Sequence, residues 1–167
     1  MTDEPTQQAP IAVPCDAGTM LLLEPPPGWL MSPVQLPARV GLIDPNAQGP
    51  FWPNINVVVQ DLGKMTVDEF VTLTRLQLKA LGDAAVVQRD ESIGPESAGH
   101  RFDFISYSGP VPVRCQQLIL FHSGRAFVVT ALASLQQFDN YRSRFEKVFD
   151  SVAIRVTAAP GTRPLQA

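Results

Sequence analysis

The sequence predicts an α+β fold in which a mainly antiparallel sheet is packed between helices. Three observations carry that prediction. An apolar strand runs into a capped amphipathic helix over residues 53–81, four period-two stretches follow one another from 85 to 132, and a second helical pattern begins at Ser134.

Taken in order, residues 1–9 and 157–167 are rich in Pro, Gln, Thr and Ala and have no apolar period, so both ends read as tails. The expected organisation is a mobile segment over 1–18, one domain over 19–156 and a disordered tail over 157–167. Residues 20–24 read as a strand. Pro25-Pro26-Pro27-Gly28 stops it and leaves Trp29 and Leu30 to drop onto the core. Pro33 and Pro37 remove ladder donors, so only 39–43 reads as the next strand, placed at an edge. Residues 44–53, DPNAQGPFWP, carry every turn signal.

In the stretch that follows, Ile55, Val57 and Val59 share one parity, and Asn54, Asn56 and Gln60 share the other with Val58. That is a strand over 54–61 with one apolar face. Thr66-x-x-Glu69 is a capping box, and Met65 and Phe70 are spaced as a hydrophobic staple. Val67, Phe70, Val71, Thr74, Leu78 and Leu81 then form one stripe, and Gly82 supplies the stop. Leu73 and Leu76 lie off that stripe, a surplus of apolar surface on the flank and rear of the helix.

Residues 85–91, 100–108, 112–121 and 125–132 keep period two, and Ser108-Gly109-Pro110 and Ser123-Gly124 read as hairpin turns. The last three stretches therefore predict a meander in the same sheet as 54–61. Apolar residues on both parities of 118–121 and 127–132 call for cover on both faces. A second capping box, Ser134-x-x-Gln137, opens a helix over 135–150 that presents Phe138, Tyr141, Phe145, Val148 and Phe149. Residues 152–156 read as a short strand returning to the sheet.

The chain of 167 residues is 45% hydrophobic and carries a formal charge of −3. That composition suits a globular domain with a real core, and the scattered charges give no nucleic-acid footprint. The start is acidic and polar, Leu21-Leu22-Leu23 is too short to span a bilayer, and Pro14-Cys15 lacks a preceding apolar run, so no membrane insertion or lipidation and a cytoplasmic location are expected.

The order MLLLEPPPGW, PNINVVVQDL, MTVDEFVTLTRLQL, GHRFDFISYS, SLQQFDNYRSRFEKVFDSV resembles the PsbP-like α/β/α sandwich superfamily. Within it the chain is similar to the actinobacterial LpqN/LpqT lipoproteins, the DcrB-like proteins and the type VI effector-associated chaperones. The resemblance implies a curved antiparallel sheet between helices, used to bind proteins or peptides. The signal and acylated cysteine of the lipoproteins find no match in these residues, so membrane anchoring is not expected to carry over from the resemblance.

Candidates for chemistry are few. No G-x-G-x-x-G, Walker, G-x-S-x-G or H-E-x-x-H pattern occurs, and Cys15, Cys115, His100 and His122 have no short paired spacing of the kind zinc uses. No metal, cofactor or catalytic residue is expected. His100 beside Arg101 and Asp103 reads as a solvated or capping residue, His122 as a hairpin-end residue, and Cys15 and Cys115 as separate buried thiols. The amides Asn54, Asn56 and Gln60 around Val58, with Gln116 and Gln117 on a later strand, read either as solvent-facing sheet or as a binding face. Together with Leu73 and Leu76 they are the candidate partner-binding residues. The expected function is a non-enzymatic protein-binding module, a chaperone or adaptor, with a secretion-associated role open to it, whose partner is another protein or a second copy. The alternatives are a carrier of a small apolar ligand, which requires a closed apolar pocket, and an enzyme of unrecognised type, which requires converging titratable groups.

Overall fold

A computed structural model describes residues 8–16, 18–94, 98–107 and 109–157. In chain order the elements are β1 (Ile11–Pro14), β2 (Thr19–Leu23), β3 (Leu30–Met31), β4 (Ala38–Ile43), β5 (Asn54–Asp61), α1 (Val67–Ala80), a 3-10 turn at Gly82–Ala84, β6 (Ala85–Ile93), β7 (Gly99–Ser106), β8 (Val113–His122), β9 (Arg125–Ser134), α2 (Phe138–Ser151) and β10 (Ala153–Val156). Seven strands form one antiparallel sheet in the order β3-β4-β5-β9-β8-β7-β6, and β1-β2-β10 form a second.

Both parts of the Thr66 capping box are made. Thr66 Oγ1 accepts from Glu69 N at 3.2 Å, and Glu69 Oε2 accepts from Thr66 N at 2.7 Å. The Thr66 backbone N–H, followed by the Thr66 hydroxyl that also donates to Oε2, holds the Glu69 carboxyl below its ordinary range. The second box behaves differently. Gln137 N donates to Ser134 Oγ and Gln137 Oε1 accepts from it, while Gln137 Nε2 donates to Gln48 O; Ser134 is still the last residue of β9, paired with Val113, so the box closes a turn and α2 begins only at Phe138.

The helices lie on opposite faces of the large sheet. On one face Phe138, Tyr141, Phe145, Val148 and Phe149 of α2 pack with Phe127, Val129 and Ala131 of β9, Ile55 and Val57 of β5, and Leu21 and Leu23 of β2. Trp29 lies edge-on to Tyr141 and Phe145 at ring-centroid distances of 6.1 and 6.2 Å, as the stop at Pro25-Pro26-Pro27 predicts. On the other face Phe70, Val71 and Leu78 of α1 pack with Phe102, Phe104, Cys115, Ile119 and Ala126. Both helices therefore sit on the sheet that holds 54–61 and the later meander.

Four expectations need correcting. Residues 11–14, inside the expected mobile segment 1–18, are strand β1, because Val13 is buried against β2 and the α2 core. The strand at 39–43 is not an edge; β3 pairs with it outside Pro33. Strand β10 returns to β2 instead of to the large sheet, and Thr157 N donates to Gly18 O to close that pairing. The second helix starts at Phe138 for the reason given above. The tails 1–7 and 158–167, and Ser108 of the first hairpin turn, lie outside the described residues.

Candidate functional site

Helix α1 covers only part of its face. Its core partners come from β7, β8 and β9, and none comes from β5, β4 or β3. The uncovered part is β5, where Asn54, Asn56, Val58 and Gln60 stand beside Leu132, Thr130, Val128 and Ala126 of β9; Ala126 and Thr130 are buried and Val128 and Leu132 pack against the α1 cluster, and Gln117 stands beside Thr130. The amide row of the sequence is therefore a real row. Gln117 Nε2 donates to Thr130 Oγ1 at 3.3 Å and Asn54 Nδ2 to Trp52 O at 3.0 Å, whereas the amides of Asn56 and Gln60 have no partner among the described residues. None of these positions carries a charge.

Two walls bound this floor. One is α1 itself: Arg75 reaches outward to Asp90 on β6, and Leu73, about 160° around the helix from it, is exposed on the opposite flank, where it shares an open patch with Met65 and Leu76. On the far side the chain folds back over β4. A Cβ at Gly41, which stands opposite Asn56, would fall 2.5 Å from Val34 Cγ1 and 2.7 Å from Ser32 Oγ, so only glycine admits that approach. Leu30, expected to drop onto the core with Trp29, is instead 52% exposed because it pairs in β3 on the outside of β4, and it stands with the exposed Val34 at this rim. The open floor is centred on β5, because the residues beside it on β9 and β4 are already largely covered.

Gln116 does not join its neighbour there. Successive strand residues face opposite ways, and Gln116 is buried beneath α2, its Nε2 donating to Asp103 Oδ2 at 3.1 Å. Asp103 in turn takes Arg114 at 2.8 and 2.7 Å, and Arg101 takes Glu146 of α2 at 2.9 Å. These groups form a structural network that fastens the sheet to α2. Leu76, 57% exposed, points roughly away from the sheet and stands outside the channel.

His100 is also corrected. It is 2% exposed, its Nε2 lies 2.7 Å from Asp90 Oδ1 and its Nδ1 lies 3.3 Å from Ser92 Oγ. Sequence reasoning missed this because Asp90 and Ser92 sit on a strand whose register with β7 shifts between Val87 and Arg89. The period-two pattern alone gives no hint of that shift. The set has the residue types of a hydrolytic triad, but Asp90 is also clamped by Arg75 at 2.6 and 2.8 Å. What the arrangement does physically is tie β6, β7 and α1 together. Arg75, with His100 behind it, holds the Asp90 carboxyl below its ordinary range against an opposing push from burial.

Cys115 lies under α1, and burial followed by the nearby Asp103 charge pushes its thiol up to about 12. Cys15 is half-buried and bonds Val13 O, so the two thiols are separate. Among the described residues no group of three or more His, Cys, Asp or Glu side chains is disposed to hold a metal ion, and no helix is long and apolar enough to cross a membrane. A cleft of about 700 Å³ lies between Pro25-Pro26-Pro27, Trp29 and α2. It is open, and Glu24, Asp44, Arg144 and Lys147 rim it, which is unlike the closed apolar pocket a carrier requires.

No family model matches the chain, and no curated protein matches it by sequence. Solved structures do. LpqN of Mycobacterium tuberculosis superposes with a TM-score of 0.65 at 16% identity, covering 88% of this chain and 91% of that one. The chain has the PsbP-like fold. The cyanobacterial PsbP of Synechocystis gives 0.63 at 13% identity, covering 92% and 96%, and Mog1p of Saccharomyces cerevisiae gives 0.56 at 8%, covering 87% and 95%. The PsbP-like α/β/α arrangement is thus that of a sheet between two helices, as the element order predicts.

Proposed function

We propose that this protein is a non-enzymatic binding module, a chaperone or adaptor, that receives a segment of a partner protein on the open part of its large sheet. One observation carries the reading: an uncharged strand surface with unpaired amides at Asn56 and Gln60 on either side of Val58, bounded by the residues that α1 covers on β9 and by the Ser32–Val34 turn. Free amides on an apolar floor satisfy the polar groups of an incoming segment while its apolar side chains are covered. A floor centred on one strand suits an extended segment better than a helix, whose diameter is about 10–12 Å. Mog1p is described as Ran-binding and LpqN as involved in cell envelope biogenesis; neither description names a reaction.

A photo-crosslinking residue in place of Asn56 tests this in the source cell. We expect it to trap a discrete protein partner, and Val58→Lys to abolish trapping while leaving the fold intact. A crosslinker in place of Leu76, outside the channel, is the control. Equal trapping at both positions, or trapping unaffected by Val58→Lys, overturns the assignment of the site.

A further inference from the structure

We propose that the outer edge of β6 is a second docking site, one that takes an extended peptide segment carrying an apolar and an acidic side chain two positions apart. Strand β6 ends the large sheet and has no outer neighbour among the described residues. The register identifies its free backbone groups. Tyr107 N donates to Ala84 O, so the pairs that exchange hydrogen bonds are Ala84 with Tyr107 and Val86 with Ile105. The intervening residues, Ala85 and Val87, therefore turn both N–H and C=O away from β7. Beyond the irregularity between Val87 and Arg89, the outward position passes to Asp90.

The side chains of these same residues line a groove of about 560 Å³ between β6 and α1, whose other walls include Leu78, Phe102, Arg75 and Lys79. Unpaired main-chain groups and a side-chain groove on one set of residues are what strand addition uses, the ladder for affinity and alternate side chains for selectivity. The groove also states the chemistry of its occupant. Ala85, Val87 and Leu78 offer apolar surface, and Val87 is 45% exposed. Arg75 is consumed by Asp90 with two bonds, whereas the Lys79 ammonium has no partner among the described residues. An added strand thus places one apolar side chain over Val87 and an acidic one, about 7 Å along on the same face, by Lys79.

A second copy of the chain is disfavoured as occupant. Arg89, Asp90 and Glu91 are successive charges next to a register shift, and both features blunt long strand-to-strand pairing. What remains flat is the short stretch 85–87, which suits a short segment. This site lies on the other flank of α1 from the channel at Asn56, so either can fail without the other.

Amide spectra of the full chain, titrated with acetyl-Thr-Val-Thr-Glu-Thr-amide, test the proposal. We expect saturable shifts centred on 84–88 and 78–82. Lys79→Glu should weaken binding at least tenfold and transfer preference to the peptide with lysine in place of glutamate. Val87→Pro deletes an outward N–H without touching the β7 ladder, and should abolish binding with the far-ultraviolet spectrum unchanged; if that variant unfolds, Lys79→Glu decides alone. Absence of saturable shifts at millimolar peptide, shifts centred on Asn56 and Val58, or equal binding by the Lys79→Glu variant would overturn it. So would a dimer in light scattering that Val87→Pro dissociates, since that assigns the edge to a second copy.

Discussion

Asp90 concentrates the physics of the α1 side in one carboxylate. It accepts two bonds from Arg75 and one contact from the buried His100, and Arg75 is the larger cause of its depressed titration. A carboxyl whose folded pKa is depressed contributes stability that is fully present above its unfolded value, about 3.9, and is lost as pH falls through the folded one. Part of the acid sensitivity of the fold therefore belongs to this residue. Asp90→Asn should cost roughly 1–2 kcal/mol at neutral pH and flatten the acid limb of the stability curve, as read by urea melts between about pH 3 and 7. An unchanged acid limb would show that the tie contributes nothing to folding. In the sequence, alternation correctly separates His100 from Arg101 and Asp103, because a strand face needs no partner to be known. The burial of His100 depends on Asp90 and Ser92 arriving across a shifted register, and nothing local encodes that.

At the scale of the element, the two capping boxes show where local signals suffice. Thr66 and Glu69 have no competing partner, so the box closes as written and α1 begins at Val67. Thr66→Ala should cost about 1 kcal/mol in a denaturant melt, the usual worth of such a cap, and Leu76→Lys should shift stability by no more than about 0.5 kcal/mol because its side chain faces away from the sheet. Equal costs would mean that Leu76 is packed after all. Ser134 is held in the β9 ladder opposite Val113, and Gln137 bonds both Ser134 and Gln48 O, 89 residues away in sequence, so the helix start moves to Phe138. The same logic separates the glutamines of β8. Period two predicts that Gln116 and Gln117 face opposite ways, so pairing both with the amide row of β5 asks more of the strand than its geometry allows. The amides that do share a face, Asn54, Asn56, Gln60 and Gln117, are legible from parity and register alone.

At the scale of the whole molecule, the pairing least visible in the sequence is that of β2 with β1 and β10. Each strand is four or five residues long, and β10 joins β2 across most of the chain. Strands this short carry little pattern, and a partner so distant leaves no turn signal between them. Yet Leu21 and Leu23 are fully buried in the same cluster as Phe145 of α2 and Phe127 of β9, so the small sheet closes the α2 side of the core. Two sheets that share one apolar cluster unfold together, since neither can open without exposing the other's buried face. Leu21→Ala should therefore lower the whole transition by about 2–5 kcal/mol, with one midpoint for all probes. Trp29, edge-on to Tyr141 and Phe145 beside the small sheet, reports one part of that cluster once the exposed Trp52 is replaced by Phe in both chains, and the far-ultraviolet signal reports the large sheet and helices. The fluorescence and circular dichroism curves should stay superimposed in the variant as in the parent chain. If the Trp29 curve shifts alone, the β1-β2-β10 sheet is an independent unit, and the single cooperative domain proposed for 19–156 is wrong.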